Sequence, residues 1–395
     1  MGGADFLRLW YVGLVSFLIR WMETLAVAVF VLQKTGSPFL VAMMTMLRIL
    51  PMGLFGSVMG AWAERWERRS CLLLLTGVML ATDAALCLSA ARGGLTIWAV
   101  AIGSFVNGIG WAGDNPIRRV AIGEVTGTER MGTAMSLDVA ANNGTRILGP
   151  VIGGALLAFS GITTVFAFAT VLYASAILTL LSVAYRNQAI MRAPGSVLAH
   201  IAEGIRCART DRRLFATLLV TVIYNVFAWP FTSMVPVVAQ QHLALGTIST
   251  GALASMDGVG ALLGASAMAF GGARRGSGVL YCGGMVVYCA MIVAFALSPS
   301  ALPAGAALLL EGIGGASYSI LQATLVYQFA PPEMRSRMLG LVSTCIGVGP
   351  IGFVALGWLA TVIGAQWATA ITGIAGLIAM ALTYPMWRVL VRTEG

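Results

Sequence analysis

At 395 residues the chain could hold two or three soluble domains, but 58% of its residues are hydrophobic and only 10% are charged, far below the quarter usual in soluble proteins. That balance excludes soluble domains. The formal net charge of +9 is scattered over short loops, which points to membrane topology rather than to a nucleic-acid surface.

In chain order, twelve apolar stretches have about 20 residues or more, each enough to cross ~30 Å of hydrocarbon. They run over 6–32, 39–63, 71–91, 95–118, 134–159, 162–184, 213–240, 249–271, 278–297, 302–329, 338–363 and 366–388. The outer connections at Ser160–Gly161 and Gly364–Ala365 read as tight helical hairpins. The longest connection, Tyr185 to Arg212, is basic and polar, and a short amphipathic helix is predicted from Val197 to Ala208. It parts six spans from six. The expected architecture is an all-α integral membrane protein of twelve transmembrane helices. A six-helix bundle covers 1–184, a cytoplasmic loop 185–212, and a second six-helix bundle 213–395.

Basic residues set the orientation. Arg8, Arg65, Arg68, Arg69, Arg118, Arg119, Arg130, the arginines of the central loop, Arg274, Arg275, Arg335, Arg337, Arg388 and Arg392 all fall on one side. The other side has Lys34 and Arg92. The positive-inside rule puts both termini in the cytoplasm.

Polar residues inside the spans form stripes. The first span carries Arg20 and Glu23, and the second Arg48. The fourth has Asn107, Trp111, Asp114 and Arg118. The fifth has Asp138, Asn142 and Arg146 at i, i+4 and i+8, with Gly144, Gly149, Pro150, Gly153 and Gly154 close by. The seventh has Asn225 and Trp229, the eighth Asp257, and the tenth Glu311, Tyr318 and Gln322. A charge at bilayer depth costs about 2.5–3.5 kcal/mol on insertion scales, so these faces must meet protein or water rather than lipid. Two readings stand open for each acid: a static buried ion pair, or a carboxyl that takes up and releases a proton as its surroundings alternate. Asp138 and Arg146 share a stripe about 12 Å long, and Glu23 can meet Arg20, Arg48 or Arg146. Asp83 on the third span receives no role. The glycines of the fifth span are expected to let helices pack closely and to act as a hinge.

The halves echo each other. Gly149-Pro150 in span five matches Gly349-Pro350 in span eleven, and the loop Gly60–Arg69 has a reduced counterpart at Phe270–Arg275. With Gly60-x-x-x-Glu64-Arg65-x-x-Arg68-Arg69 and the run Gly144 to Gly154 in view, the chain resembles the major facilitator superfamily over its whole length. Glu64 stands where that signature usually has Asp. S-L-D…N…R-I-L-G-P, T-G-S-P at 35–38 and R-I-L-P at 48–51 resemble the enterobactin-exporter-like and macrolide-efflux-like subgroup, with Asp138 where Asn is usual. The resemblance implies a fold in which helices 1, 4, 7 and 10 line the cavity, and a gating role for Gly60, Glu64, Arg65, Arg68 and Arg69. Independently of it, the loop cations are expected to complement the C-terminal carbonyls of span two.

Walker A, HExxH and nucleophile-elbow patterns are missing from the sequence. The expectation is a transporter rather than an enzyme, with no cofactor and no bound metal, monomeric in a bacterial-type inner membrane. It would couple protons to the export of a small amphipathic molecule, siderophore- or drug-like, across the lipid bilayer, with no nucleic-acid partner. An uptake symporter or divalent-metal carrier, and a non-pumping scramblase or receptor, remain as alternatives.

Overall fold

The protein was analysed as a computed structural model, which describes residues 2–186, 206, 210–270, 276–331 and 334–392, the side chains of 2, 56–65, 128, 336, 337, 339, 340 and 392 excepted. Among the described residues there are fourteen α-helices and no strands. They are α1 Gly2–Thr35, α2 Pro38–Arg65, α3 Arg68–Ala91, α4 Ile97–Ser160, α5 Ile162–Leu181, α6 Arg212–Ile223, α7 Val235–Gln241, α8 Thr247–Phe270, α9 Ser277–Ala296, α10 Ala301–Phe329, α11 Arg335–Ile346, α12 Gly349–Ile363, α13 Ala365–Leu382 and α14 Tyr384–Arg392. Ten stretches of helix among the described residues are long and apolar enough to cross a membrane.

Polarity is inverted relative to a soluble protein. Large apolar side chains lie outside, with Trp98 80% exposed and Phe270 92% exposed. Glu23, Asp83, Asn107, Asp114, Arg118, Asp138, Asn225 and Glu311 lie buried. A backbone surrounded by hydrocarbon must satisfy its own hydrogen bonds, which helices do within one segment.

Three elements differ from the sequence expectation. Spans 95–118 and 134–159 fall on two helices, together α4, that run on with no loop between them and meet at the non-helical Gly127, where φ is 70° and ψ 171°. Such a φ suits a residue without Cβ. The seventh span is not one continuous α-helix. After α6 comes a π-helical turn at Tyr224–Ala228 and a tight 3₁₀ turn at Trp229–Ser233. Pro230 explains the break, since it has no N–H to give to the preceding turn. The eleventh span is divided into α11 and α12 around Gly347–Val348. The helix expected at Val197–Ala208 lies outside the described residues, apart from Arg206.

The chain forms two compact units. The first takes in Met1–Thr35, Leu47–Pro194 and Thr247–Ser255; the second takes in Gly36–Met46, Gly195–Gly246 and Met256–Gly395. In the first, α1 packs along α4 and α5, and α3 packs on α4 and α5. A Cβ on Gly149 would stand 2.6 Å from Trp21 Cβ and 2.9 Å from the Met22 nitrogen, and one on Gly153 would press on the Met22 carbonyl. These two glycines let the α1 and α4 backbones touch. In the second unit, α9 packs on α10 and α13, and α12 lies against α13 and the seventh-span turns.

Candidate functional site

The first unit holds a buried polar chain built from four helices. Arg48 on α2 donates to Glu23 Oε2 on α1 at 2.9 Å. Asn107 on α4 donates to the same Glu23 oxygen at 3.4 Å and to Asp83 Oδ1 on α3 at 2.8 Å. Glu23 is 1% exposed and Asp83 0%. The two carboxyls come within hydrogen-bond reach of one another, and Tyr173 of α5 is close enough to feel both electrostatically. Glu23 Oε1, Asp83 Oδ2 and Asn107 Oδ1 are buried acceptors with no partner among the described residues. The cluster is therefore short of donors. A proton on either carboxyl would supply one, because a protonated carboxyl both donates and accepts.

Of the three arginines considered for Glu23, then, Arg48 holds it. Arg20 instead stacks on Trp111, its guanidinium carbon 3.5 Å from the ring centroid, and also lies 5.2 Å from the Trp21 ring. Arg146 lies 5.2 Å from the Trp21 ring, and the Trp21 indole nitrogen donates to Asn142 Oδ1 at 3.3 Å.

A second buried group sits on the two limbs of α4. Arg118 is 0% exposed and reaches Asp138 Oδ1 at 2.5 Å and Asp114 Oδ2 at 3.4 Å. Arg119 holds the other Asp138 oxygen at 2.9 Å. Asp138 thus pairs across the Gly127 turn with these cations, and not with Arg146 along its own stripe. The turn brings α4's limbs together, a contact that helical periodicity does not reveal.

The loop between α2 and α3 divides its cations. Arg68 pairs with Glu124 at 2.5 Å and donates to the Tyr185 hydroxyl at 3.1 Å. The Tyr185 hydroxyl also donates to Glu124. Partial burial and the neighbouring Glu124 push the Tyr185 phenol up to about 12. Arg69 donates to the carbonyls of Leu180 and Leu181, at 3.0 and 2.6 Å. It therefore caps the C-terminus of α5, not span two as expected, satisfying carbonyls that a helix end leaves open. The Gly60, Glu64 and Arg65 side-chain positions lie outside the described residues.

The second unit's polar residues form a ladder of hydroxyls and rings. Gln322 donates to Thr221 Oγ1 at 2.9 Å and to the Tyr318 hydroxyl at 2.8 Å. Asn225 donates to the Thr221 carbonyl at 2.8 Å. Tyr224 and Tyr281 stack on Tyr318, with centroids 3.9 and 5.4 Å away. Trp229 meets Phe353 edge-on at 6.0 Å. Tyr288 lies beside Glu311, with Asp257 close enough to act on it electrostatically. Gly154 lies against Thr247 and Gly251 in the first unit, Pro150's carbonyl meets Gly251, and Gly144 has nothing within 4 Å.

Sequence reasoning missed Asp83, Trp21, Arg119 and, in the second unit, Tyr224, Tyr281 and Tyr288. For Asp83 the signal was present, since an acid in an apolar span needs a partner. The tyrosines gave no such signal, because their hydroxyls look alike in sequence whether paired or not.

Similarities to known proteins agree with this geometry. The family model described as transmembrane secretion effector matches residues 3–392. Macrolide efflux protein A of Streptococcus pyogenes is 21% identical over 400 residues, covering 96% of this chain and 95% of that protein. Among solved structures, a peptide transporter of the POT family in complex with sulfate aligns with a TM-score of 0.81 at 11% identity, over 99% of this chain and 96% of that one. The nucleoside transporter NupG aligns with a TM-score of 0.76 at 13% identity, over 97% and 99%. These structures share the fold.

Proposed function

Because the chain belongs to the transmembrane secretion effector family, within the major facilitator superfamily, we propose that it is a proton-coupled exporter of a small amphipathic organic molecule. Export is suggested by the macrolide efflux relatives. The observation that carries proton coupling is the Arg48–Glu23–Asn107–Asp83 chain. It joins two buried carboxyls, a single paired cation and orphan acceptors. Adding one proton supplies one of the donors that the cluster lacks, and removing it strengthens the Arg48–Glu23 pair. An acid in such a setting responds to any motion that changes its hydration.

The reading includes twelve crossings in two six-helix halves, 1–184 and 213–395, joined by the loop 185–212, with both termini cytoplasmic. Its support is arithmetic. At 1.5 Å per residue, the 64 residues of α4 would extend about 96 Å, three times the ~30 Å of hydrocarbon. Two limbs folded at Gly127, added to the ten candidate spans, give twelve. Alternating access would rock one half against the other, as inverted-repeat transporters do. The protein would act as a monomer with a small-molecule substrate.

A thermal-shift screen of siderophores, macrolides, lysolipids and divalent metals identifies a ligand, since binding to the folded state raises apparent stability. That compound is then followed in reconstituted vesicles under an imposed pH gradient. Glu23→Gln and Asp83→Asn should abolish gradient-driven accumulation while sparing exchange, because an amide hydrogen-bonds without changing charge. Accumulation at the parent level in both variants rules out coupling through this pair.

A further inference from the structure

Arg20 is an intramembrane charge that the proton-coupling reading leaves unused. Its guanidinium lies against the rings of Trp111 and Trp21, and no acid stands within ion-pair distance of it among the described residues. It is half-buried, not sealed in the core. Arg48 and Arg146 are both close enough to act on it electrostatically. Arg146 approaches Trp21 at 5.2 Å, the same distance as Arg20, so both guanidiniums contact that indole. Of the two carboxyls in the buried chain, Glu23 is engaged by Arg48 and Asp83 by Asn107.

An unpaired charge at this depth costs about 2.5–3.5 kcal/mol. The two ring contacts of Arg20 return about 0.5–2 kcal/mol each, so packing leaves it at best near balance. A packing role alone would be served by an acid beside Arg20 or by a neutral residue in its place. The donor inventory is one-sided as well. Guanidiniums donate and never accept, and the buried Trp111 indole N–H, adjacent to Arg20, has no acceptor among the described residues. What complements such a face is a group with several acceptor oxygens and a negative charge, attached to a flat apolar body that can lie against indole.

We propose that the Arg20, Trp111, Trp21 and Arg146 face of the first unit is a binding subsite for an organic anion, a carboxylate, sulfonate or phosphate borne on a planar ring system. This rests on the transporter reading and names its substrate class. Arg20 binds the anionic group. Trp111 offers its N–H and its ring face. Asn142 fixes Trp21 through the indole nitrogen.

The test is a binding measurement on the full-length protein in neutral detergent, which needs no gradient and so fails or succeeds independently of proton coupling. Calorimetric titration compares 2-naphthoate, neutral 2-naphthamide and cationic 2-naphthylmethylammonium. The parent should bind naphthoate in preference to both analogues by roughly tenfold or more, the fold-change expected when a charge-assisted hydrogen bond is lost. Arg20→Gln should weaken naphthoate by a similar factor, Arg20→Lys by less, and Trp111→Leu should weaken all three ligands. Displacement of naphthoate by phosphatidylglycerol and not by phosphatidylcholine would assign the anion to a lipid headgroup. Displacement by neither leaves the soluble anion as occupant. Equal binding of the three analogues by the parent overturns the proposal even if no variant folds. Unchanged naphthoate affinity in a folded Arg20→Gln protein overturns it too.

Discussion

Replacing Gly149 by alanine tests the packing that sets the Trp21 and Arg146 geometry. The new Cβ would stand 2.6 Å from Trp21 Cβ and 2.9 Å from the Met22 backbone nitrogen. Neither neighbour can swing aside, since one is the first atom of its side chain and the other is main chain. Restoring ordinary carbon contact at about 3.5–4.0 Å requires α1 and α4 to part by about 1 Å. Overpacking of this kind costs about 1–3 kcal/mol, and the gain from replacing a helical glycine returns roughly 0.5–1 kcal/mol. A net loss of up to about 2.5 kcal/mol lowers an apparent melting temperature by up to about 5–10 °C on the scale for domains of 150–250 residues. Gly144, on the same helix, has nothing within 4 Å, so Gly144→Ala should leave the melting temperature unchanged or slightly raised. The assay is thermal unfolding of the purified protein in detergent, followed by intrinsic fluorescence. Equal melting temperatures for the two variants would refute the close-packing argument. Gly149→Leu, with a still larger side chain, should stop transport while the protein still reaches the membrane.

Asp138→Asn should cost about 3–5 kcal/mol, the range for breaking a buried ion pair, because Arg118 is fully buried and would keep only Asp114. Asp138→Glu should recover part of it, and a loss under about 1 kcal/mol in denaturant titration would show that the pair is not structural. Reporter fusions at Lys34, Arg92 and His242 should read as periplasmic, and those at Arg69, Arg206 and Arg337 as cytoplasmic. A swapped pair would break the twelve-crossing topology.

The sites differ in how legible they were. Glu23 and Arg48 stood out because an ionisable side chain in an apolar run must find a partner. Which arginine took Glu23 was not readable. Arg20 lies three residues from it along the same helix, yet its guanidinium turns to Trp111, while Arg48 arrives from another helix. Asp83 received no role because the resemblance placed the cavity on helices 1, 4, 7 and 10, and its span is the third. Asn107 bridges it to Glu23. Pro230 was visible in the seventh span, but the π turn beside it depends on how the helix resumes after the missing N–H.

The sequence by itself determined the class of protein. Runs of apolar residues long enough for a bilayer, few charges, and arginines gathered in alternate loops leave no soluble alternative. It also determined the family, through motifs whose spacing is local. Tertiary structure decided the pairings. Asp138 joined Arg118 and Arg119 because the chain turns at Gly127, and Arg69 capped α5 because that helix ends beside it. Periodicity fixes which residues share a face of one helix. Which neighbouring helix that face meets, and so which charge is neutralised, is set by packing between segments far apart in the chain.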